Sequence, residues 1–173
     1  MHRRFMNRRL LLASGLGTTL VTTGLMGCAS PKVSDYANEK PTLDLPTYFN
    51  GVVDAWGIFT DRNGKVVKRF TVEMHCHWKD GKGVLDEDFV YSDGTQEKRV
   101  WQLTDMGNGQ YEGTAGDVVG TATGQVKGNA FNWQYTLALP VDGSVFHVQM
   151  DDWMYLMNDR VMLNKARMKI GRA

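Results

Sequence analysis

Short apolar-rich runs alternate with turn signals along most of this chain. From Tyr48 onward, runs rich in Val, Thr, Phe, Tyr and Trp are separated by dipeptides such as Asn63-Gly64, Asp80-Gly81 and Asn108-Gly109. These residues tolerate the left-handed backbone conformations of tight turns, so each dipeptide predicts a break between strands. Consecutive strands joined by tight turns pair antiparallel. The pattern predicts an all-β, antiparallel up-and-down meander of about eight or nine strands that closes into a barrel.

The alternation within three runs indicates which side chains face the interior. Apolar residues recur at every second position in residues 70–78 and 131–139, and at nearly every second position in residues 146–156. Because successive side chains of a strand point to opposite faces, each run has one buried and one solvated side. Small residues in the run 117–126 predict a sharp bend or a close packing contact.

Asp152 interrupts the apolar face of the third run. A buried carboxylate must be hydrogen-bonded, paired or protonated, because burial of an uncompensated charge costs much free energy. One interpretation makes Asp152 a polar anchor for a ligand head group inside the barrel. The other makes it structural, either turned outward by a β-bulge at Asp151-Asp152 or paired with an arginine such as Arg99 or Arg160.

Large apolar and aromatic side chains share the inward faces with this carboxylate. Such an interior suits either a packed core or a site for an apolar ligand. Together with Asp152, the residues predicted to bind an apolar or lipid-derived ligand are Trp78, Trp133, Tyr135, Met150 and Met154.

Other chemistry-bearing patterns are weak. His75 and His77 lie on a solvated face without a third ligand at suitable spacing, so neither a metal site nor a cofactor is predicted. Asp86 and Asp88, beside Glu87, fall short of the oxygen ligands that calcium requires, which favours a role at a strand edge or turn. No catalytic motif is recognisable, and the chain is therefore not expected to be an enzyme.

The first 28 residues have the layout of an export signal. Four arginines precede a mildly apolar run over residues 10–26, followed by Gly27 and Cys28, an order typical of secretory signals. The ending Leu25-Met26-Gly27-Cys28 resembles the lipobox of bacterial lipoproteins, which implies cleavage before Cys28 and lipidation of its thiol. Many Ser, Thr and Gly residues make the run too polar for a membrane-spanning anchor. Arg8-Arg9 leaves both general secretory and twin-arginine export open.

The chain is expected to have three segments. They are a signal peptide (residues 1–27), a polar tether (28–46) that begins at the lipidated Cys28, and one β-barrel domain (47–173). Ala29, where an aspartate would favour retention in the inner membrane, implies attachment to the outer membrane, facing the periplasm.

Of 20 basic and 19 acidic residues, 16 basic and 19 acidic remain after removal of the signal. With no basic run, a nucleic-acid partner is not expected. Cys76 is left as a lone cysteine in an apolar setting, which favours burial.

Several short motifs are spread along residues 47–173. They are Ala55-Trp56-Gly57 with Phe59 and Asp61-Arg62, Leu85-Asp86-Glu87 with Phe89, Asp117-Val118-Val119-Gly120, Leu139-Pro140-Val141-Asp142-Gly143 and Asp151-Asp152-Trp153-Met154-Tyr155. Together they resemble a family of bacterial lipoproteins classed as a domain of unknown function. The resemblance covers nearly all of residues 47–173 and attaches no activity. The family continues with a further strand after the segment at 164–166, whereas this chain ends at residue 173, so an open barrel edge is expected.

These observations predict a cell-envelope lipoprotein with a lipocalin-like (calycin-like) barrel that binds an apolar or lipid-derived ligand and meets the membrane through its lipid anchor. Two alternatives stay open. A solid, packed barrel would serve as a structural or interaction protein without a small ligand. A lipid-modifying enzyme would use Asp152, or Asp86 and Asp88, as its acidic groups.

Overall fold

A single antiparallel β-sheet makes up most of the computed structural model, which describes residues 30–141 and 143–170. Each strand pairs with the next one in the chain, so the order in the sheet is the order in the sequence. The predicted all-β meander is confirmed. The strands are β1 (Gly51–Thr60), β2 (Val66–Lys79), β3 (Lys82–Tyr91), β4 (Gln96–Gly107), β5 (Gln110–Thr114), β6 (Val118–Lys127), β7 (Ala130–Val141), β8 (Ser144–Leu156) and β9 (Met162–Ile170).

The sheet curls strongly into a half-barrel. β1 and β9 end the strand order, and no pairing between them occurs within residues 30–141 and 143–170. On β9, Ala166 lies opposite Asp152 and Met168 lies opposite Met150, so both belong to the concave side, yet both are exposed. The half-barrel is therefore open along this side, in keeping with the open edge expected above, whereas the meander pattern by itself predicts a closed barrel.

The apolar core occupies the concave side near the β2–β3, β4–β5 and β6–β7 turns. Its packing follows the strand alternation read from the sequence. Cys76 is buried within it, as its neighbours predict, and burial raises the pKa of its thiol to about 11. The buried strand residues of this core are Val72, Met74, Cys76, Leu85, Trp101, Leu103, Tyr111, Ala122, Phe131, Trp133 and Leu156.

Small residues on β6 let the aromatic core approach this strand closely. Ala122 is fully buried. A Cβ atom on Gly124 would lie 2.5 Å from Trp133 and 2.6 Å from Phe131. The absence of a side chain at Gly124 therefore makes room for two large rings, in keeping with the close packing expected from this run.

The segment before β1 covers one end of the core. A 3₁₀ turn (Val33–Tyr36) and one helical turn, α1 (Leu45–Tyr48), precede the sheet. Leu43 and Leu45 are 4% and 1% exposed, and the Leu43 amide donates to the carbonyl of Gly128 at 2.8 Å. Leu43 and Leu45, which fall within the predicted tether, thus belong to the packed domain. The described residues contain no helix that is long and apolar enough to span a bilayer.

Cys28 and the signal predicted before it lie outside the described residues, as does Asp142 in the β7–β8 turn. The signal, the lipidation of Cys28 and the start of the tether stay predictions.

We expect Leu45→Ala to lower the free energy of unfolding by about 2–5 kcal/mol, because it removes a fully buried side chain and leaves a cavity. Val52→Ala, at an exposed position on β1, is the matched control and should change stability by less than about 0.5 kcal/mol. Urea unfolding of the three proteins measures the difference. An equal, small effect of both substitutions would show that the segment before β1 does not pack on the sheet.

Candidate functional site

Five polar side chains meet on the concave side of the half-barrel, next to the apolar core. We call them the interior polar cluster: Glu87 on β3, Arg99 on β4, Asp117 just before β6, Tyr135 on β7 and Asp152 on β8. Glu87 and Asp152 are each 8% exposed. Glu87 lies directly opposite Arg99 in the β3–β4 register. Charged groups this deeply buried are uncommon unless they are paired.

Aromatic contacts join the two sides of the half-barrel at this level. Trp101 on β4 packs edge-on against Trp133 (ring centroids 5.5 Å apart) and Tyr135 (5.3 Å), both on β7. Such tilted ring pairs add stability beyond the area that they bury. The contacts bring β4 close to β7, so that Glu87 and Arg99 share the interior with Tyr135 and Asp152.

Arg99 is bound to Asp117. Its Nε donates to both carboxylate oxygens, at 3.1 and 2.9 Å, and its Nη2 donates to Oδ2 at 2.6 Å. Charge-assisted, two-pronged pairs of this kind are among the stronger hydrogen-bonded contacts in proteins. By contrast, Nη1 lies 3.9 Å from Oε2 of Glu87, too far for a hydrogen bond. The guanidinium is thus held by Asp117.

Glu87 is the more strongly perturbed carboxyl group. Burial raises its pKa to about 7, and the negative charges of Asp117 and Asp152 add to the rise, whereas the positive charge of Arg99 opposes it. Among the described residues, no group donates a hydrogen bond to the Glu87 carboxylate. Its pKa places Glu87 close to half protonation at neutral pH.

Asp152 is held on one side only. The Tyr135 hydroxyl donates to Oδ2 at 3.1 Å, while the buried Oδ1 has no hydrogen-bond partner within the described part of the chain. Burial raises the Asp152 pKa to about 6, and the Tyr135 hydrogen bond and the charge of Arg99 limit the rise. Burial and the Asp152 charge also raise the pKa of Tyr135, which therefore remains a protonated donor.

The interpretation in which a β-bulge at Asp151-Asp152 turns Asp152 outward is wrong. The β7–β8 and β8–β9 registers run through Asp151 and Asp152 without a shift, so Asp152 points inward. Asp151 points to the opposite face, where the Asn132 side chain donates to it at 2.8 Å. Of the two candidate arginine partners, Arg160 is exposed, and Arg99 acts on Asp152 through its charge while it binds Asp117.

The six residues predicted from the sequence to bind a ligand divide into two groups. Trp133 lies directly opposite Asp152 in register, Tyr135 bonds to it, and the half-buried Met150 and Met154 flank it on β8. Trp78 lies apart on β2, beside the β2–β3 turn, where it packs edge-on against a tyrosine of β5. That any of the six binds a ligand stays a prediction.

The polar residues on the convex face bind one another. Lys98 Nζ lies 2.8 Å from Asp86 and 3.2 Å from Asp88, and His75 Nε2 lies 2.9 Å from Glu73; Asp86 is partly buried and the other residues are exposed. Exposed pairs of this kind contribute little to stability. Across residues 30–141 and 143–170, no three His, Cys, Asp or Glu side chains are grouped to hold a metal ion.

A depression of about 410 Å³ lies where β6 shifts its register against β7, between Val119 and Thr123. Tyr135 of the interior polar cluster contributes to its lining. Its other lining residues are Val119, Thr121, Gln134, Thr136, Gln149, Met150, Asp151 and Lys169.

Comparison with protein-family models matches residues 22–171 to a family described as "Protein of unknown function (DUF3833)". The chain belongs to the DUF3833 family. Searches of curated proteins and of solved structures found no match. The predicted membership of a family of unknown function is thus confirmed, whereas the lipobox and the individual motifs quoted for it stay predictions.

In this DUF3833 domain, the sequence interpretation missed the role of Glu87. Glu87 lies between Leu85 and Phe89 on the inward face of β3, which is the same signal that identified Asp152. Arg99, named beforehand as one candidate partner of Asp152, instead binds an aspartate in the β5–β6 connection. That connection has no strand alternation, so no pattern indicated the pairing.

We expect the wild-type protein to lose stability between about pH 5 and pH 8, and Glu87→Gln to lose less. The Glu87 pKa is raised from 4.5 to about 7 in the folded state, so the folded protein holds this proton more tightly than the unfolded chain. The resulting stabilisation is complete below pH 4.5 and is lost as the pH rises through 7, a change on the order of 3 kcal/mol. Urea unfolding at each pH measures it.

Asp54→Asn, at an exposed position on β1, is the control and should retain the wild-type pH dependence. The same slope in Glu87→Gln as in wild type would contradict the assignment of a raised pKa to Glu87.

Proposed function

We propose that this protein is a cell-envelope lipoprotein whose half-barrel binds an apolar or lipid-derived ligand on its concave side. The observation that carries the proposal is Asp152. It is a buried carboxyl group with one oxygen unpartnered among the described residues, set in an otherwise apolar strand face. A few polar groups within a mostly apolar concave surface are the usual features of a small-molecule site.

The open side of the half-barrel supports access to this group. Met150 and Met154 flank Asp152 and are half-buried, while Ala166 and Met168 on the neighbouring strand are exposed on the same side of the sheet. Methionine side chains adapt to ligands of different shape because they are flexible and polarisable. An apolar chain lying along β8 and β9 would cover these side chains and place its polar end near Asp152.

The envelope part of the proposal rests on the N-terminal sequence. The signal-like layout and the lipobox resemblance support lipidation of Cys28, and Ala29 after it supports attachment to the outer membrane, facing the periplasm. Each buried CH₂ of an acyl anchor contributes about 0.8 kcal/mol to membrane binding. A domain so anchored would remain beside a bilayer, where apolar molecules accumulate.

Two other functions are each favoured by one observation. Val52, Trp56 and Ile58 lie on the convex face of the edge strand β1, interrupted there by Asp54, and all three are exposed, Trp56 by 76%. Such a strip favours a scaffold that binds another protein. The pKa values of Glu87 and Asp152, about 7 and 6, would allow either group to act as a general acid or base near neutral pH, as the alternative of a lipid-modifying enzyme requires.

Native mass spectrometry of the full chain tests the ligand part of the proposal. The Cys28→Ala variant is used so that no attached acyl chain contributes to the mass. We expect a reproducible mass excess that disappears after extraction with organic solvent, and a smaller excess when Asp152→Asn is added. Asp54→Asn in the same background is the control and should retain the excess. A folded protein with a bare mass would contradict ligand binding and favour the scaffold.

Mass spectrometry also tests the lipidation of Cys28. After export, denatured protein that retains Cys28 should lack residues 1–27 and carry the added mass of acyl chains, whereas Cys28→Ala should not. An unmodified Cys28 in exported protein would contradict lipidation.

A further inference from the structure

We propose that the interior polar cluster binds a primary ammonium group at the end of an apolar chain. The inference rests on the proposed function and names the class of ligand: a cationic amphiphile whose head donates hydrogen bonds to Asp152 and Glu87. An anionic amphiphile such as a fatty acid would be disfavoured.

The balance of charge in the interior polar cluster favours a ligand with a positively charged head group. The cluster contains three carboxyl groups and one guanidinium, and Arg99 is held by two-pronged hydrogen bonds to Asp117. That pair is neutral overall, so Glu87 and Asp152 remain as the uncompensated acidic groups. A cationic head would neutralise them, whereas an anionic head would add a further negative charge to a buried site, where charges interact strongly.

The unfilled hydrogen-bond acceptors of the cluster favour a ligand head group that donates hydrogen bonds. Oδ1 of Asp152 is a buried acceptor without a donor in the described part of the chain, and the Tyr135 hydroxyl is already used on Oδ2. Nη1 of Arg99 is 3.9 Å from Glu87, beyond hydrogen-bond distance. Unfilled buried acceptors are costly, and a primary ammonium supplies three N–H donors. A quaternary ammonium would supply charge without donors and should bind less well.

The basic residues of β9 do not neutralise Asp152 and Glu87. Lys165, Arg167 and Lys169 on β9 lie opposite Trp153, Asp151 and Gln149, the β8 residues that alternate with Asp152. Because side chains alternate along a strand, these cations face the convex side.

The opposite face of β9 offers a route for the chain of the ligand. Ala166 lies directly opposite Asp152, is small, and is exposed. Met168, two residues on, is opposite Met150, and is exposed as well. An apolar chain along these positions would bring its terminal nitrogen towards Asp152 from the open side of the half-barrel.

Calorimetric titration of the full chain with four ten-carbon probes tests the inference. The probes are decylamine, decanoic acid, decanol and decyltrimethylammonium, each kept below its micelle concentration at about pH 7.5. We expect decylamine to bind at least about tenfold more tightly than the other three, since the gain comes from charge-assisted hydrogen bonds. Asp152→Asn and Glu87→Gln should each reduce this preference to less than about threefold, and Asp54→Asn should leave it unchanged.

The outcomes separate the two proposals. Equal binding of all four probes, tighter binding of decanoic acid, or a preference for decylamine that both cluster variants retain would overturn the ammonium site while leaving apolar ligand binding in place. Folded protein that binds none of the probes would overturn both. Circular dichroism of each variant confirms that it is folded, and Glu87→Gln provides an independent test if Asp152→Asn does not fold.

Discussion

The pairing of Arg99 with Asp117 determines the state of the other charged groups inside this half-barrel. Three donor contacts at 2.6–3.1 Å hold the guanidinium on Asp117, the residue just before β6. Glu87 faces the same guanidinium at 3.9 Å without a hydrogen bond, and Asp152 receives only a tyrosine hydroxyl. Removal of a carboxylate from water is costly, so both groups hold their protons to higher pH than they would in the unfolded chain.

The shape of the sheet explains why such groups are tolerated. A meander that pairs each strand with its sequence neighbour curls until Trp101 on β4 meets Trp133 and Tyr135 on β7, and these contacts enclose the cluster. The apolar core fills the end of the half-barrel that carries the β2–β3, β4–β5 and β6–β7 turns, and Leu43 and Leu45 cover that end. On the β9 side the same curl leaves inward-facing side chains exposed. The domain is therefore well packed around Glu87 and Asp152, and it is open on the β9 side, next to Asp152.

Much of this arrangement could be predicted from strand alternation. Alternation placed Asp152 on an inward face, and turn dipeptides gave the meander and nearly all strand boundaries. Glu87 carried the same signal between two apolar neighbours but was grouped with the adjacent aspartates, which face solvent. Asp117 begins the run 117–126, which the sequence pattern treats as one strand, but in the structure it lies just before β6. Alternation along that run therefore did not indicate its pairing with Arg99.

Two features of the fold also lay beyond the sequence pattern. Closure of a barrel depends on how far the sheet curls and on register between its first and last strands, neither of which alternation specifies. The leucines at 43 and 45 stand alone in a polar, proline-containing segment, so no periodicity marked them as core residues. Leu43 bonds to Gly128 in the distant β6–β7 turn, a tertiary contact that no local pattern indicates.

An interior acidic site requires that the two buried carboxyl groups hold their protons to higher pH than free carboxyl groups do. Carbon-13 NMR titration of the side-chain carboxyls in the full chain would follow Glu87 and Asp152 individually. We expect midpoints near pH 7 for Glu87 and near pH 6 for Asp152. Midpoints at or below the ordinary values of 4.5 and 3.8 would show that both groups are solvated or paired, and would contradict an interior acidic site.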